Sequence, residues 1–124
     1  MRAALVLAAL SGFMAVAAGA FGAHAVSDPQ AKAWLQTGGQ YQLTHALAVF
    51  ACLALQRAYA GAPAATLAAW LFLGGGLVFA GSLYLMALTG ARALGAVTPI
   101  GGLLLLAGWL ALAWAAFAGA RSAG

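Results

Sequence analysis

Acidic side chains are almost missing from this sequence: Asp28 is the only one in 124 residues. Catalysis by paired carboxylates and proton relays built on membrane-embedded acids therefore have no candidates. Cysteine occurs once, as Cys52, which rules out an internal disulfide, a CxxC redox centre and a thiolate cluster within one chain. Charge of either sign is scarce at 5%, against roughly a quarter of the residues in an average soluble domain. So few charges could not cover a surface facing water. The five basic residues, Arg2, Lys32, Arg57, Arg92 and Arg121, give a net charge of +4. They stand singly along the chain, whereas nucleic-acid binding needs them clustered on one face. Anionic headgroups of a lipid bilayer are the expected partner, and no nucleic acid is.

What the sequence has instead is apolar length. Hydrophobic residues make up 66% and the mean hydropathy is +1.03. Four apolar stretches stand out, at about 3–23, 41–58, 66–88 and 99–118. Three of them approach the roughly 20 residues that cross a hydrocarbon core. The second is shorter and opens on Tyr41, Gln42, Thr44 and His45, but Gln56 and Arg57 can snorkel at its far end. The predicted fold is an all-α integral membrane protein. It is a single domain over 1–124, a compact four-transmembrane-helix bundle with a short interfacial helix between helices 1 and 2.

Local signals fill in the connections. Arg2, an apolar run and the Ala23-His24-Ala25 triplet imitate a cleaved signal peptide, but Gly12, Gly19 and Gly22 are dispersed as in a packed helix. The first helix is therefore expected to be retained. Ser27 or Asp28 can cap the interfacial helix, with Pro29 in its first turn, Trp34 and Leu35 facing the lipid boundary and Gly38-Gly39 ending it. Ala60-Gly61-Ala62-Pro63 forms the second turn and Thr89 to Thr98 the third. Four crossings place Arg2, Arg57 and Arg121 on one side and Lys32 and Arg92 on the other, so cytoplasmic termini follow from the positive-inside rule. The margin is one residue and leaves a dual topology open.

Seventeen glycines in such a chain suggest close helix contacts, through small residues four apart (Ala8 with Gly12, Gly19 with Ala23) and through Gly74-Gly75-Gly76, Gly81, Gly101-Gly102 and Gly108. A homo-oligomer or a larger membrane complex would use the same device. A phosphate-binding loop would not fit, since no Lys-Ser/Thr pair follows these glycines.

Polar residues inside the spans define the candidate site. His24, Tyr41, Gln42, Thr44, His45, Ser82, Tyr84, Thr98 and Pro99 all project toward the non-cytoplasmic half of the four-crossing arrangement, with Tyr41, Thr44 and His45 on one face of the second helix. Two readings stay open. His24 and His45 tie the first helix to the second, or they flank a ligand: a quinone or lipid headgroup, a haem iron or a copper ion, with Met86 the one other soft group. No cofactor is expected, haem or quinone being the alternative. No enzyme is expected either, because Ser11 and Ser82 lack a Ser-His-Asp arrangement. A small channel or transporter is a further alternative, since an anion pathway needs no acid.

Several phrases together resemble a known family. They are G-A-F-G-A-H at Gly19–His24, Q-Y-Q-x-x-H-A-L-A at Gln40–Ala48, F-A-G-S-L-Y at Phe79–Tyr84, T-P-I-G-G at Thr98–Gly102 and G-W at Gly108-Trp109. The chain resembles, over nearly its whole length, the bacterial inner-membrane family called domain of unknown function four-two-three, related to the eukaryotic transmembrane-protein-256 group. That resemblance implies a four-helix membrane fold in the bacterial inner (plasma) membrane and brings no reaction or substrate with it. Its motif positions here are His24, Gln42, His45, Ser82, Tyr84, Thr98 and Pro99. Ala80 stands where the family phrase expects serine, so no essential hydroxyl carries over there.

Overall fold

Apolar side chains at helical spacing, few β-branched runs and a proline near the start of three helices give an all-helical chain. The computed structural model describes residues 1–59 and 62–124. Among these the long helices are α1 (Arg2–His24), α2 (Pro29–Ala58), α3 (Pro63–Thr89) and α4 (Thr98–Ala123), with a short 3-10 helix at Arg92–Ala96. Ala60 and Gly61, half of the expected second turn, lie outside the described residues.

The first connection is tight. The Asp28 carboxylate accepts from the Ala31 N–H at 2.9 Å and Pro29 occupies the first turn, so only four residues separate α1 from α2. The third connection begins at Gly90, whose φ of 73° caps α3 in the left-handed region that glycine adopts without strain.

One expectation is corrected here. Gly38-Gly39 do not end an interfacial helix, because α2 runs unbroken through them for 30 residues. Successive helical residues point about 100° apart, so the two glycines face different neighbours. A Cβ on Gly39 would lie 2.9 Å from the Ala15 carbonyl oxygen of α1, and one on Gly38 would lie 2.6 Å from the Tyr84 ring of α3. Two neighbouring helices press on this point and hold the glycines helical. Leu35 likewise faces α1 over Gly22, not lipid, while Trp34 packs under the Arg92 guanidinium at 5.9 Å.

The helices pack in chain order, α1 on α2, α2 on α3 and α3 on α4, each antiparallel to the last; α1 and α4 do not touch among the described residues. The result is closer to a staggered row than to the compact bundle expected: the main contacts are between consecutive helices, lesser ones join α1 to α3 and α2 to α4, and the outer pair stay apart. Burial follows that order. The outer helices bury one narrow stripe each, at Ala4, Ala8, Ala15, Ala18 and Gly22 in α1 and at Gly101, Leu105, Gly108, Ala115 and Gly119 in α4. These positions recur at steps of three, four and seven, the seam geometry of closely packed helices. One core cluster draws on all four helices, with Val49 and Cys52 of α2 and Phe72 of α3 at its heart, Ala4 and Ala8 of α1 on one side and Leu105 of α4 on the other.

Three helical segments, Arg2–His24, Pro63–Thr89 and Arg92–Ala123, are long and apolar enough to cross a membrane. Helix α2 is as long but more polar, carrying Lys32, Gln36, Gln40 and Gln42 in its first half and His45 near its middle.

Candidate functional site

His45 is the centre of the interior polar residues, and its partners fix its state. Trp109 Nε1–H, which can only donate, points at His45 Nε2 across 3.0 Å from α4. Nε2 must therefore carry the lone pair, and the proton sits on Nδ1, which donates to the Tyr41 carbonyl oxygen at 2.6 Å. The imidazole is neutral and both nitrogens are engaged. Phe72 of α3 completes an aromatic triad, with ring centroids 5.5 Å from His45 and 4.9 Å from Trp109. Gly108 makes this contact feasible, since a Cβ there would fall 2.7 Å from the Phe72 ring.

The other polar residues pair between helices in the same manner. Tyr84 donates to Gln42 Oε1 at 2.7 Å, joining α3 to α2. Ser82 donates to the Phe79 carbonyl at 2.9 Å, so at the 2.6 Å Ser82–Thr98 contact Thr98 is the donor, joining α4 to α3. At the opposite end Gln56 Nε2 donates to Thr66 Oγ1 at 2.6 Å. No buried side-chain polar atom among the described residues lacks a partner.

Of the residues singled out in the sequence, Gln42, His45, Ser82, Tyr84 and Thr98 thus enter interhelix hydrogen bonds, and Tyr41 supplies a backbone acceptor and packs its ring, tilted by 40°, against Phe79 with centroids 4.8 Å apart. His24 joins none of them. It is exposed at the end of α1, beside the stretch of α2 that holds Lys32 and Leu35. Gly12 lies against Leu43 and Gly22 against Leu35, a register that sets His24 and His45 about fourteen residues apart, or roughly 20 Å at the helical rise. The expected ligand site between two histidines is therefore not assembled. Met86 is buried elsewhere, near Gly95. No group of three metal-ligating side chains occurs among the described residues.

Depth is corrected as well. Because α2 begins at Pro29, His45 lies sixteen residues into it, about 24 Å along the axis, and Trp109 lies about 16 Å into α4. The polar residues run from the end of the row at Ser82 and Thr98 to its middle at His45, instead of forming one layer. Trp109, Phe72 and the Gln56–Thr66 pair extend the polar network beyond the residues that stand out in the sequence. Only the Gly108-Trp109 phrase carried a signal, a lone indole N–H beside a glycine in an apolar helix, which demands an acceptor.

An open groove of about 570 Å³ runs beside this cluster between α2 and α4, with Phe79 of α3 at its floor. A second, of about 300 Å³, lies between α1 and α3 and is lined by Ser11, Trp70 and Gly74.

Apolar spans and a hydrogen-bonded helix interior define a helical membrane protein. The chain belongs to the family described as "Protein of unknown function (DUF423)", which matches residues 18–102. It is 37% identical to the UPF0382 membrane protein YwdK of Bacillus subtilis, covering 94% of this chain and 97% of that one. It is 40% identical to a UPF0382 membrane protein of Haemophilus influenzae, covering 91% and 92%. The UPF0382 inner membrane protein YgdD of Escherichia coli K12 is 40% identical, covering 85% and 82%. No solved structure matches.

Proposed function

We propose that the chain is a non-enzymatic, four-crossing protein of the bacterial inner membrane, an accessory or self-associating element that works through the outside of its helix row. One observation carries this reading: the interior polar side chains are spent on holding helices together. His45 offers no free nitrogen, Gln42 and Tyr84 satisfy each other, and Ser82 binds Thr98. A general base, an iron ligand or a lining for an ion path would need such groups free.

Placement in the inner membrane is supported by the printed name of the Escherichia coli relative. A fourth crossing by α2 is supported by its antiparallel packing between α1 and α3, which leaves it the same slab to traverse. Of the polar residues of α2, Gln42 and His45 turn inward, so lipid meets fewer of them than the sequence suggests. The termini are assigned to the cytoplasm, because Arg2, Arg57 and Arg121 share one end of the row against Lys32 and Arg92 at the other.

Absorption spectroscopy and metal analysis of the protein purified in mild detergent test the reading. The expected result is no stoichiometric haem or copper, with His45→Ala lowering the unfolding midpoint. A Soret band that His45→Ala shifts or removes would overturn it.

A further inference from the structure

We propose that the groove between α2 and α4 is a binding site for an electrically neutral, single-chain amphiphile, its head at the mouth beside Tyr41 and its tail running to Trp109. The proposal rests on the four-crossing reading, which puts both helices in lipid.

The groove has a polar end and an apolar end. At the mouth, Tyr41 and Thr44 of α2 face Pro99 of α4, and an adjoining hollow of about 290 Å³ adds Gln40. Toward the middle of the row the walls become Leu103, Leu106 and Trp109. Gln40, Tyr41 and Thr44 are all exposed within about one helical turn, where the exposed polar stretch of α2 that includes Gln36 and Thr37 meets the apolar wall of α4. Exposed polar groups next to hydrocarbon are costly unless something bonds them. Thr44 gives its proton to the Gln40 carbonyl at 2.9 Å, which leaves its oxygen lone pairs as an acceptor beside the Tyr41 phenol and the Gln40 amide. A head that both donates and accepts hydrogen bonds would satisfy that set.

Charge and length narrow the ligand further. No Lys, Arg, Asp or Glu lines either hollow, so a phosphate or carboxylate head would enter without a counter-ion. From Pro99 to Trp109 the groove follows about 15 Å of α4, half of a hydrocarbon core about 30 Å thick. One extended chain from one leaflet fits that reach. The groove's 570 Å³ is within the usual range for a small-molecule site. The groove between α1 and α3 lacks the polar mouth: of its lining only Ser11 carries a hydroxyl.

Tryptophan quenching reads occupancy directly. The full chain carrying Trp34→Phe, Trp70→Phe and Trp114→Phe leaves Trp109 as the only indole. In vesicles of dibrominated phosphatidylcholine, bilayer chains entering the groove quench it. Added 1-monododecanoylglycerol, which is neutral and unbrominated, is expected to restore most of the Trp109 emission at a saturable, low mole fraction. Dodecyl phosphate at the same fraction restores little. Gly102→Phe fills the groove without striking backbone, since a Cβ there meets only the Phe79 ring edge at 3.9 Å. It should abolish the recovery, while Leu7→Phe in the opposite groove should not. Quenching without recovery overturns the site, and so does equal recovery in a protein retaining only Trp70. Emission that is unquenched at high protein density and quenched on dilution with lipid assigns the groove to a second copy and overturns it too. Absence of quenching at every density fails the four-crossing reading along with the site.

Discussion

His45 shows how much a single hydrogen-bond donor can decide. An imidazole in an apolar helix is open to several roles, but an indole N–H aimed at Nε2 and a carbonyl at Nδ1 leave it one tautomer and no spare valence. Trp109→Phe keeps an aromatic ring in the triad but removes the donor and part of the ring volume. It is expected to lower the unfolding free energy by about 1 kcal/mol, the upper range for interhelix hydrogen bonds in membranes, in a denaturant titration followed by circular dichroism. Gln42→Leu and Tyr84→Phe should each destabilise the protein. Their double variant should cost less than the sum of the two, a coupling that a double-mutant cycle measures and that additive losses would refute. From the sequence, the residue types and the shared face of Tyr41, Thr44 and His45 were legible. The pairing of His45 with Trp109 was not, because sixty-four positions separate them and no local pattern links them.

At the level of the helix, glycine has two meanings in this chain. Gly39, Gly75, Gly101 and Gly108 meet a neighbouring helix so closely that a Cβ would collide, at Gly101 with the Phe79 backbone itself. Gly19, Gly74 and Gly81 have nothing within 4 Å. Gly39→Ala should therefore force α1 from α2 and cost about 1–3 kcal/mol, as overpacked sites do. Gly19→Ala should be neutral or stabilising by up to about 1 kcal/mol, since alanine is the better helix former. Comparing their unfolding midpoints checks both, and equal effects would remove the distinction. Composition shows that glycine is abundant, but only the rotation of each helix against its neighbour separates the two sets. The Gly38-Gly39 pair makes the point most sharply. Its dipeptide signals a stop, yet tertiary contact on both sides keeps α2 continuous.

At the scale of the molecule, the row leaves both outer helices with broad apolar faces, including Phe13, Leu10 and Val16 on α1 and Leu103, Leu110 and Trp114 on α4. Lipid is the natural solvent for such faces. If α2 crosses, single cysteines placed at Ser27 and at Gly124 in a Cys52→Ala background should label from opposite sides of sealed vesicles. Labelling of both from one side would refute the alternation.

The sequence by itself determined the solvent and the secondary structure. Near-absence of charge and apolar runs of helical length leave no other outcome, since in lipid each span must satisfy its own backbone hydrogen bonds. It also determined which residue types sit in the interior, because a polar side chain in an apolar run stands out without knowledge of its partner. Only the tertiary structure decided that α2 is one helix, that His24 and His45 stand about 20 Å apart, and that the helices form a row with a groove on the α2–α4 side. Each of these depends on helix register and rotation, which short-range signals leave free and which are set by the close approaches at Gly39, Gly101 and Gly108.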